Sequence, residues 1–225
     1  MAGLRTRIKF CGLVRQVDID AAVALGVDAV GFVFYPKSPR WLAFDDAARL
    51  RRTLPSWVQA VGLFVNAETH TVRAARSEVG LDIVQFHGDE TARQCRESAG
   101  HAAWWRAVRM RSAGDLLESF EIFSTAEALL VDSFHASYGG SGQSFDWSWI
   151  PSKRPQPLIL SGGLDATSVG PAVKRVRPDA VDVSSGIQGD DPRTKDLARM
   201  EAFVAAVIET DARLLSISHS EQTAS

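Results

Sequence analysis

The chain is predicted to be a single-domain α/β protein, a closed (β/α)8 barrel of the TIM type. Two observations predict it. Apolar, β-branched runs alternate with helical patterns from end to end, and eight strand–helix units of about 25 residues nearly exhaust the 225 residues. Most strand runs are also continuously apolar rather than alternating, as parallel strands covered on both faces should be. An open doubly wound sheet is the runner-up. The lack of an early Gly-x-Gly-x-x-Gly turn argues against its dinucleotide-binding form.

In order, the apolar runs place strands at Arg7–Cys11, Ala29–Phe34, Ala60–Val65, Ile83–His87, Ala103–Val108, Ala128–Asp132, Leu158–Ser161 and Val181–Ser184. Segments with apolar residues at helical spacing, and Asp or Thr near their starts, lie between them at Asp18–Leu25, Asp45–Thr53, Glu68–Val79, Asp89–Ala99 and Thr167–Val176. The barrel is assigned to residues 1–210, and the short polar stretch 211–225 is expected to fray. Most of the six tryptophans are expected to pack between barrel and helices.

Composition excludes several function classes. The net charge is −2 and no basic stripe stands out, which argues against a nucleic-acid partner. The opening Met-Ala-Gly-Leu-Arg-Thr-Arg lacks a signal-peptide core, and no apolar run approaches a membrane span, so no membrane partner is expected. Only Cys11 and Cys95 are present, which fits a reduced, cytoplasmic setting; with five histidines lacking ligand spacing, no metal site is expected. A small anionic ligand remains compatible, since backbone donors and a few arginines suffice to hold one.

Three strand runs in the second half break into glycine-rich turns. They are Tyr138-Gly-Gly-Ser-Gly142, Ser161-Gly-Gly-Leu164 and Ser184-Ser-Gly-Ile187. Glycine lets backbone amides approach an anion closely, so three such turns in series predict one phosphate cradle built from successive strand ends. Gly142, Gly162, Gly163, Ser184, Ser185 and Gly186 are its candidate residues, with the last two turns the firmer for direct contact.

In a barrel the active site gathers at the carboxyl ends of the strands, which selects further candidates. Cys11 ends the first strand and is either a buried small hydrophobe or a reactive thiol. Cys95 falls mid-helix and reads as structural. Asp132 ends the sixth strand, where it either caps the next loop or, partly desolvated at the rim of an apolar run, donates a proton. Arg40 sits in a loop stiffened by Pro36 and Pro39 and suits bidentate recognition of a carboxylate. Lys37 in the same loop is expected to be solvated. Lys9 shares a face with Cys11, and Asp182 shares one with Ser184 on the strand that closes the barrel. They are predicted to pair inside it, because a buried charge needs a partner. Gln85 and His87 share a face of the fourth strand and could both reach the cavity. Asn66, Arg109 and Asp165 also fall near strand ends, with Arg109 a candidate second anion contact.

The motifs occur in one order: Lys9-Phe-Cys-Gly12, Gly31-Phe-Val-Phe-Tyr-Pro-Lys-Ser-Pro-Arg40, Leu63-Phe-Val-Asn66, Gln85-Phe-His-Gly88, Asp132, Tyr138-Gly-Gly-Ser-Gly142 with Phe145-Asp-Trp147, Leu160-Ser-Gly-Gly-Leu164 and Asp182-Val-Ser-Ser-Gly186. In that order they resemble the phosphoribosylanthranilate isomerase family over roughly residues 7 to 209. The resemblance implies an Amadori rearrangement in tryptophan biosynthesis, with a small phosphorylated substrate, no cofactor, and a monomer or weak homodimer. By matching motif, it implies Cys11 as general base, Asp132 as general acid and Arg40 as the holder of the anthranilate carboxylate. The eighth-strand loop departs from the family pattern: Gln188 stands where Glu is usual, and Pro192-Arg193 where Pro-Gly is usual. A phosphosugar-binding barrel without activity is the alternative, but a binder needs neither Cys11 nor Asp132. Indole-glycerol phosphate synthase would need strand-end lysines and glutamates, and a metal-dependent epimerase more strand-end histidines.

Overall fold

Eight parallel strands pair in chain order and close on themselves. They are β1 (Arg7–Cys11), β2 (Ala29–Val33), β3 (Gln59–Phe64), β4 (Ile83–Phe86), β5 (Ala103–Met110), β6 (Ala128–Ser133), β7 (Leu158–Leu160) and β8 (Ala180–Val183). The helices are α1 (Gln16–Ala24), α2 (Phe44–Arg51), α3 (Thr69–Val79), α4 (Ala92–Ala99), α5 (Ala113–Ile122), α6 (Val169–Val176) and α7 (Leu197–Thr223). This computed structural model describes residues 5–133 and 145–223. Between β6 and β7, the described residues hold one 3-10 turn, Trp147–Trp149, in place of a full helix. No described helix is long and apolar enough to cross a membrane.

The strands are buried on both faces, as their unbroken apolar runs require: β2 is buried along its whole length, Ala29 to Val33. The outward faces pack against the helices in one continuous apolar core, with Phe10, Phe32, Phe64, Phe86 and Phe203 fully or almost fully buried. α4 begins at Ala92, three residues later than its pattern suggested. Thr91 caps it, accepting a hydrogen bond from the Gln94 backbone N–H at 3.3 Å, while the Gln94 side chain reaches back to the Thr91 N–H at 2.8 Å.

The barrel seam runs between β8 and β1, where Lys9 stands opposite Asp182 in register. The Lys9 ammonium donates to Asp182 Oδ1 at 2.7 Å, and both side chains are buried. The predicted interior pair is therefore present. Burial works against the ammonium, but Asp182 and Cys11 outweigh it and hold the Lys9 pKa above its ordinary value.

Two expectations need correction. Residues 211–223 are helical and continue α7. The Asp211 carboxylate accepts the Thr6 backbone N–H at 2.6 Å and the Thr6 hydroxyl at 2.9 Å, and Leu214 is buried. The polar composition of the stretch concealed this, because its anchor lies 205 residues away in sequence. The tryptophans also divide more evenly than expected. Trp104, Trp147 and Trp149 pack into the core beneath the helices, but Trp57 is 79% exposed, Trp41 is exposed, and Trp105 lies inside the barrel near its amino-terminal end.

Asp211→Ala leaves two buried donors of Thr6 without partners. It should lower unfolding stability by about 2–4 kcal/mol in urea titrations. A loss under about 0.5 kcal/mol, the range of an ordinary surface change, would show that the end of α7 does not staple the first strand.

Candidate active site

A cleft of about 110 Å³ opens at the carboxyl ends of the strands, lined by Cys11, Arg40, Gln85, His87, Asp132, Gly162, Gly163, Asp182, Ser184 and Ser185. A larger cavity, about 520 Å³, opens at the amino-terminal end of the barrel among Trp57, Trp105 and Arg7. Chemistry, not volume, separates the two. Only the smaller cleft brings together a thiol, a carboxylate, a guanidinium and a glycine-rich wall.

Cys11 is the last residue of β1, and its Sγ sits over β2 where Gly31 leaves room. A Cβ at Gly31 would come within 2.9 Å of the sulfur. Burial pushes the Cys11 thiol above its ordinary pKa; Lys9, and more weakly Lys195, pull it down without cancelling the effect. The thiol therefore predominates at neutral pH, and the thiolate grows as pH rises. Cys95, buried in α4, is pushed up to about 12 and is inert, as its position implied.

Asp132 stands across the cleft near the end of β6. Its Oδ1 accepts the Ser133 backbone N–H at 2.8 Å, and its Oδ2 lies 3.3 Å from His87 Nε2. Behind the imidazole, Gln85 Nε2 lies 3.2 Å from His87 Nδ1. The imidazole therefore lies between the Gln85 amide and the Asp132 carboxylate, one ring nitrogen toward each. The fourth strand thus delivers both of its same-face residues, and they converge on Asp132. Gly88, after the histidine, is held from two sides. Its N–H donates to Glu90 Oε2 at 2.9 Å, and its carbonyl accepts Arg106 Nη2 at 2.9 Å. Nothing in the local sequence around Glu90 or Arg106 marked that brace, because its two halves come from different units of the barrel.

The glycine wall is built for close approach. Gly162 and Gly163 take left-handed backbone angles (φ 87° and 67°). A Cβ at Gly162 would lie 2.6 Å from Ser133 N and 2.9 Å from Asp132 Oδ1, so only glycine lets the β7 turn rest on the β6 end. Ser184, Ser185 and Gly186 continue the wall after β8, and Ser184 Oγ donates to the Cys11 carbonyl at 3.0 Å. Gly142, with the Tyr138–Gly142 turn, lies outside the described residues.

Arg40 enters from the loop after β2. Its Nη2 donates to Gln188 Oε1, while its Nε is buried with no partner among the described residues. Burial works against its charge, with Cys11 opposing. Lys195, which no motif marked, is buried beside it. Lys195 Nζ donates to the Ser184 carbonyl at 2.8 Å. Burial first, then the Arg40 charge, lower its pKa to about 8. Its signal in the sequence was only a lysine preceding an aspartate in a polar loop.

Other candidates fall away from the cleft. Arg109, a candidate anion contact, forms an ion pair with Asp89 outside the lining of the cleft. Asn66 braces a neighbouring loop by accepting the Asp89 N–H at 2.7 Å. Asp165 accepts from Thr167 and Ser168 and closes its own turn. Lys37 is exposed, as expected.

Comparison with known proteins agrees with this geometry. Residues 8–206 match the model of the N-(5'-phosphoribosyl)anthranilate (PRA) isomerase family. The chain belongs to this family. It is 49% identical over 208 residues to the N-(5'-phosphoribosyl)anthranilate isomerase of Dechloromonas aromatica (strain RCB), covering 92% of this chain and 99% of that one. The corresponding protein of Methylibium petroleiphilum is 51% identical over 211 residues, covering 94% and 98%. Among solved structures, the phosphoribosyl anthranilate isomerase of Thermotoga maritima superposes with a TM-score of 0.85 at 38% identity, covering 91% of this chain and 99% of that one. A phosphoribosyl anthranilate isomerase structure solved in complex with reduced 1-(o-carboxyphenylamino)-1-deoxyribulose 5-phosphate superposes with a TM-score of 0.81 at 36% identity, again covering 91% and 99%.

The direction of the Cys11 shift has a direct readout. Alkylation of Cys11 by iodoacetamide, followed by mass spectrometry, should accelerate about tenfold per pH unit and still be rising at pH 9. A plateau below pH 8 would mean that the lysines outweigh burial. Cys95 serves as the unreactive internal control.

Proposed function

We propose that the protein isomerises N-(5-phosphoribosyl)anthranilate to 1-(2-carboxyphenylamino)-1-deoxyribulose 5-phosphate, a step of tryptophan biosynthesis. One observation carries the reading: a thiol from β1 and a carboxylate from β6 line the same cleft, between a glycine–serine wall and a buried guanidinium. That layout matches a substrate with a phosphate at one end, a carboxylate at the other and a sugar between them.

The reaction needs two proton transfers. Asp132 gives a proton to the furanose ring oxygen as its bond to C1′ breaks, leaving an iminium ion. The conjugate carboxylate is then held by the Ser133 N–H and faces His87 Nε2. The Cys11 thiolate removes the C2′ proton, which the adjacent iminium has acidified, and an enolamine forms. Gain of a proton at C1′ and loss of one from the C2′ hydroxyl give the ketone, and together these return both groups to their starting states. Arg40 binds the anthranilate carboxylate; Gly162, Gly163, Ser184, Ser185 and Gly186 receive the phosphate. Anchors at both ends hold C1′ and C2′ between acid and base, the positioning contribution to rate.

The assay is isomerisation of freshly made phosphoribosylanthranilate, followed by loss of its anthranilate-type fluorescence. Cys11→Ala and Asp132→Asn should each lower kcat by at least about 10²-fold while the fold is retained. Near wild-type rates in both would sink the mechanism. Arg40→Ala should chiefly raise KM, because the carboxylate it holds is remote from the bonds that change. An effect confined to kcat would remove that assignment.

A further inference from the structure

We propose that Arg193 is a positioning residue for Arg40, and that the loop after β8 is the frame that aims this guanidinium at the substrate carboxylate. The inference rests on the reading of Arg40 as the carboxylate anchor and adds to it the residue that sets its place.

Arg193 Nη1 donates to two backbone carbonyls, Pro39 O at 2.9 Å and Trp41 O at 3.1 Å. These belong to the residues on either side of Arg40. One guanidinium therefore grips the chain just before and just after the anchor. From the same loop, Gln188 accepts a hydrogen bond from the Arg40 side chain itself. Backbone and side chain of Arg40 are thus both held by one loop, 148 residues away from it at the Gln188 contact.

The loop is stiff enough to serve as a frame. Gln188 and Lys195 pair across it, and Gly189 N donates to Thr194 O at 3.0 Å. Asp191 closes the tip, its carbonyl accepting the Thr194 N–H at 2.9 Å and its carboxylate the Arg193 N–H at 2.6 Å. At its root Lys195 is tied to the Ser184 carbonyl, at the end of β8. Arg40 needs such support. Its Nε is buried without a partner among the described residues, and ordering a long side chain costs rotamer freedom. A guanidinium presented as a rigid fork loses less freedom on binding a carboxylate than one that must first be ordered.

The neutral Gln188 oxygen holds Arg40 without neutralising it, leaving the full positive charge for the substrate.

The test compares Arg193→Gly and Arg193→Lys in the wild-type and Arg40→Ala backgrounds, using the fluorescence assay. Arg193→Gly should raise KM about 3- to 10-fold, the range that loss of one or two exposed hydrogen bonds supports, with kcat within about twofold. Both bonds come from Nη1, and a lysine Nζ stands one bond short of that position, so Arg193→Lys keeps the charge without reaching the carbonyls and should behave like Arg193→Gly. In the Arg40→Ala background neither change should move KM further. If Arg193→Lys matches wild type, or if Arg193→Gly raises KM equally without Arg40, then Arg193 acts by attracting the anionic substrate and the proposal falls. A drop in kcat at unchanged KM would overturn it as well. Failure of the underlying reading looks different: Arg40→Ala alone would leave KM at the wild-type value, or the wild-type protein would not turn over the substrate.

Discussion

The buried pair of Lys9 and Asp182 is the constraint on which the rest depends. It joins the last strand to the first at matched register, so the barrel closes with its two interior charges satisfied. Breaking such a pair by removing one partner costs about 3–5 kcal/mol, because an unpaired charge is left in a dry interior. The same pair lies beneath Cys11. Lys9 pulls the thiol down and Asp182 pushes it up, so the seam of the fold is also part of the electrostatic setting of Cys11.

That setting is a compromise between binding and chemistry. Arg40 and Lys195 make the cleft attractive to an anionic substrate, and Lys195 helps to draw the Cys11 thiol down. Crowding them has a cost, visible in Lys195, whose pKa falls to about 8 through burial and the nearby Arg40 charge. Burial still dominates at Cys11. The structure thus keeps the Cys11 thiol largely protonated until pH rises. On the other side of the cleft, among the described residues, Asp132 meets the Ser133 backbone N–H and the His87 imidazole.

Much of this was legible in the chain. Unbroken apolar runs at regular spacing specify parallel strands covered on both sides, and eight of them demand closure. Strand ends then nominate Cys11, Asp132, Arg40 and the Ser161–Leu164 and Ser184–Gly186 turns. All of these lie at one end of the barrel, because in a parallel barrel every carboxyl end points the same way. Alternation along a strand likewise predicts that Gln85 and His87 share a face, and that Lys9 and Asp182 meet inside. Arg109 shows where strand position stops being informative. It too lies near a strand end, but it meets Asp89 outside the cleft, and strand position alone does not say which partner a long side chain will find.

By itself, then, the sequence determined what local periodicity and residue type can encode: the strand count, the parallel closed barrel, the end that carries the chemistry and the residues capable of it. Only the tertiary structure decided what depends on contacts between distant units. His87 meets Asp132 across two strands, Glu90 and Arg106 brace the turn behind it, Asp211 staples α7 to Thr6, and Gln188 and Arg193 frame Arg40. The physical reason is the same in each case. A hydrogen bond has no periodicity and leaves no trace along the chain, so its two ends are joined only once the barrel has closed.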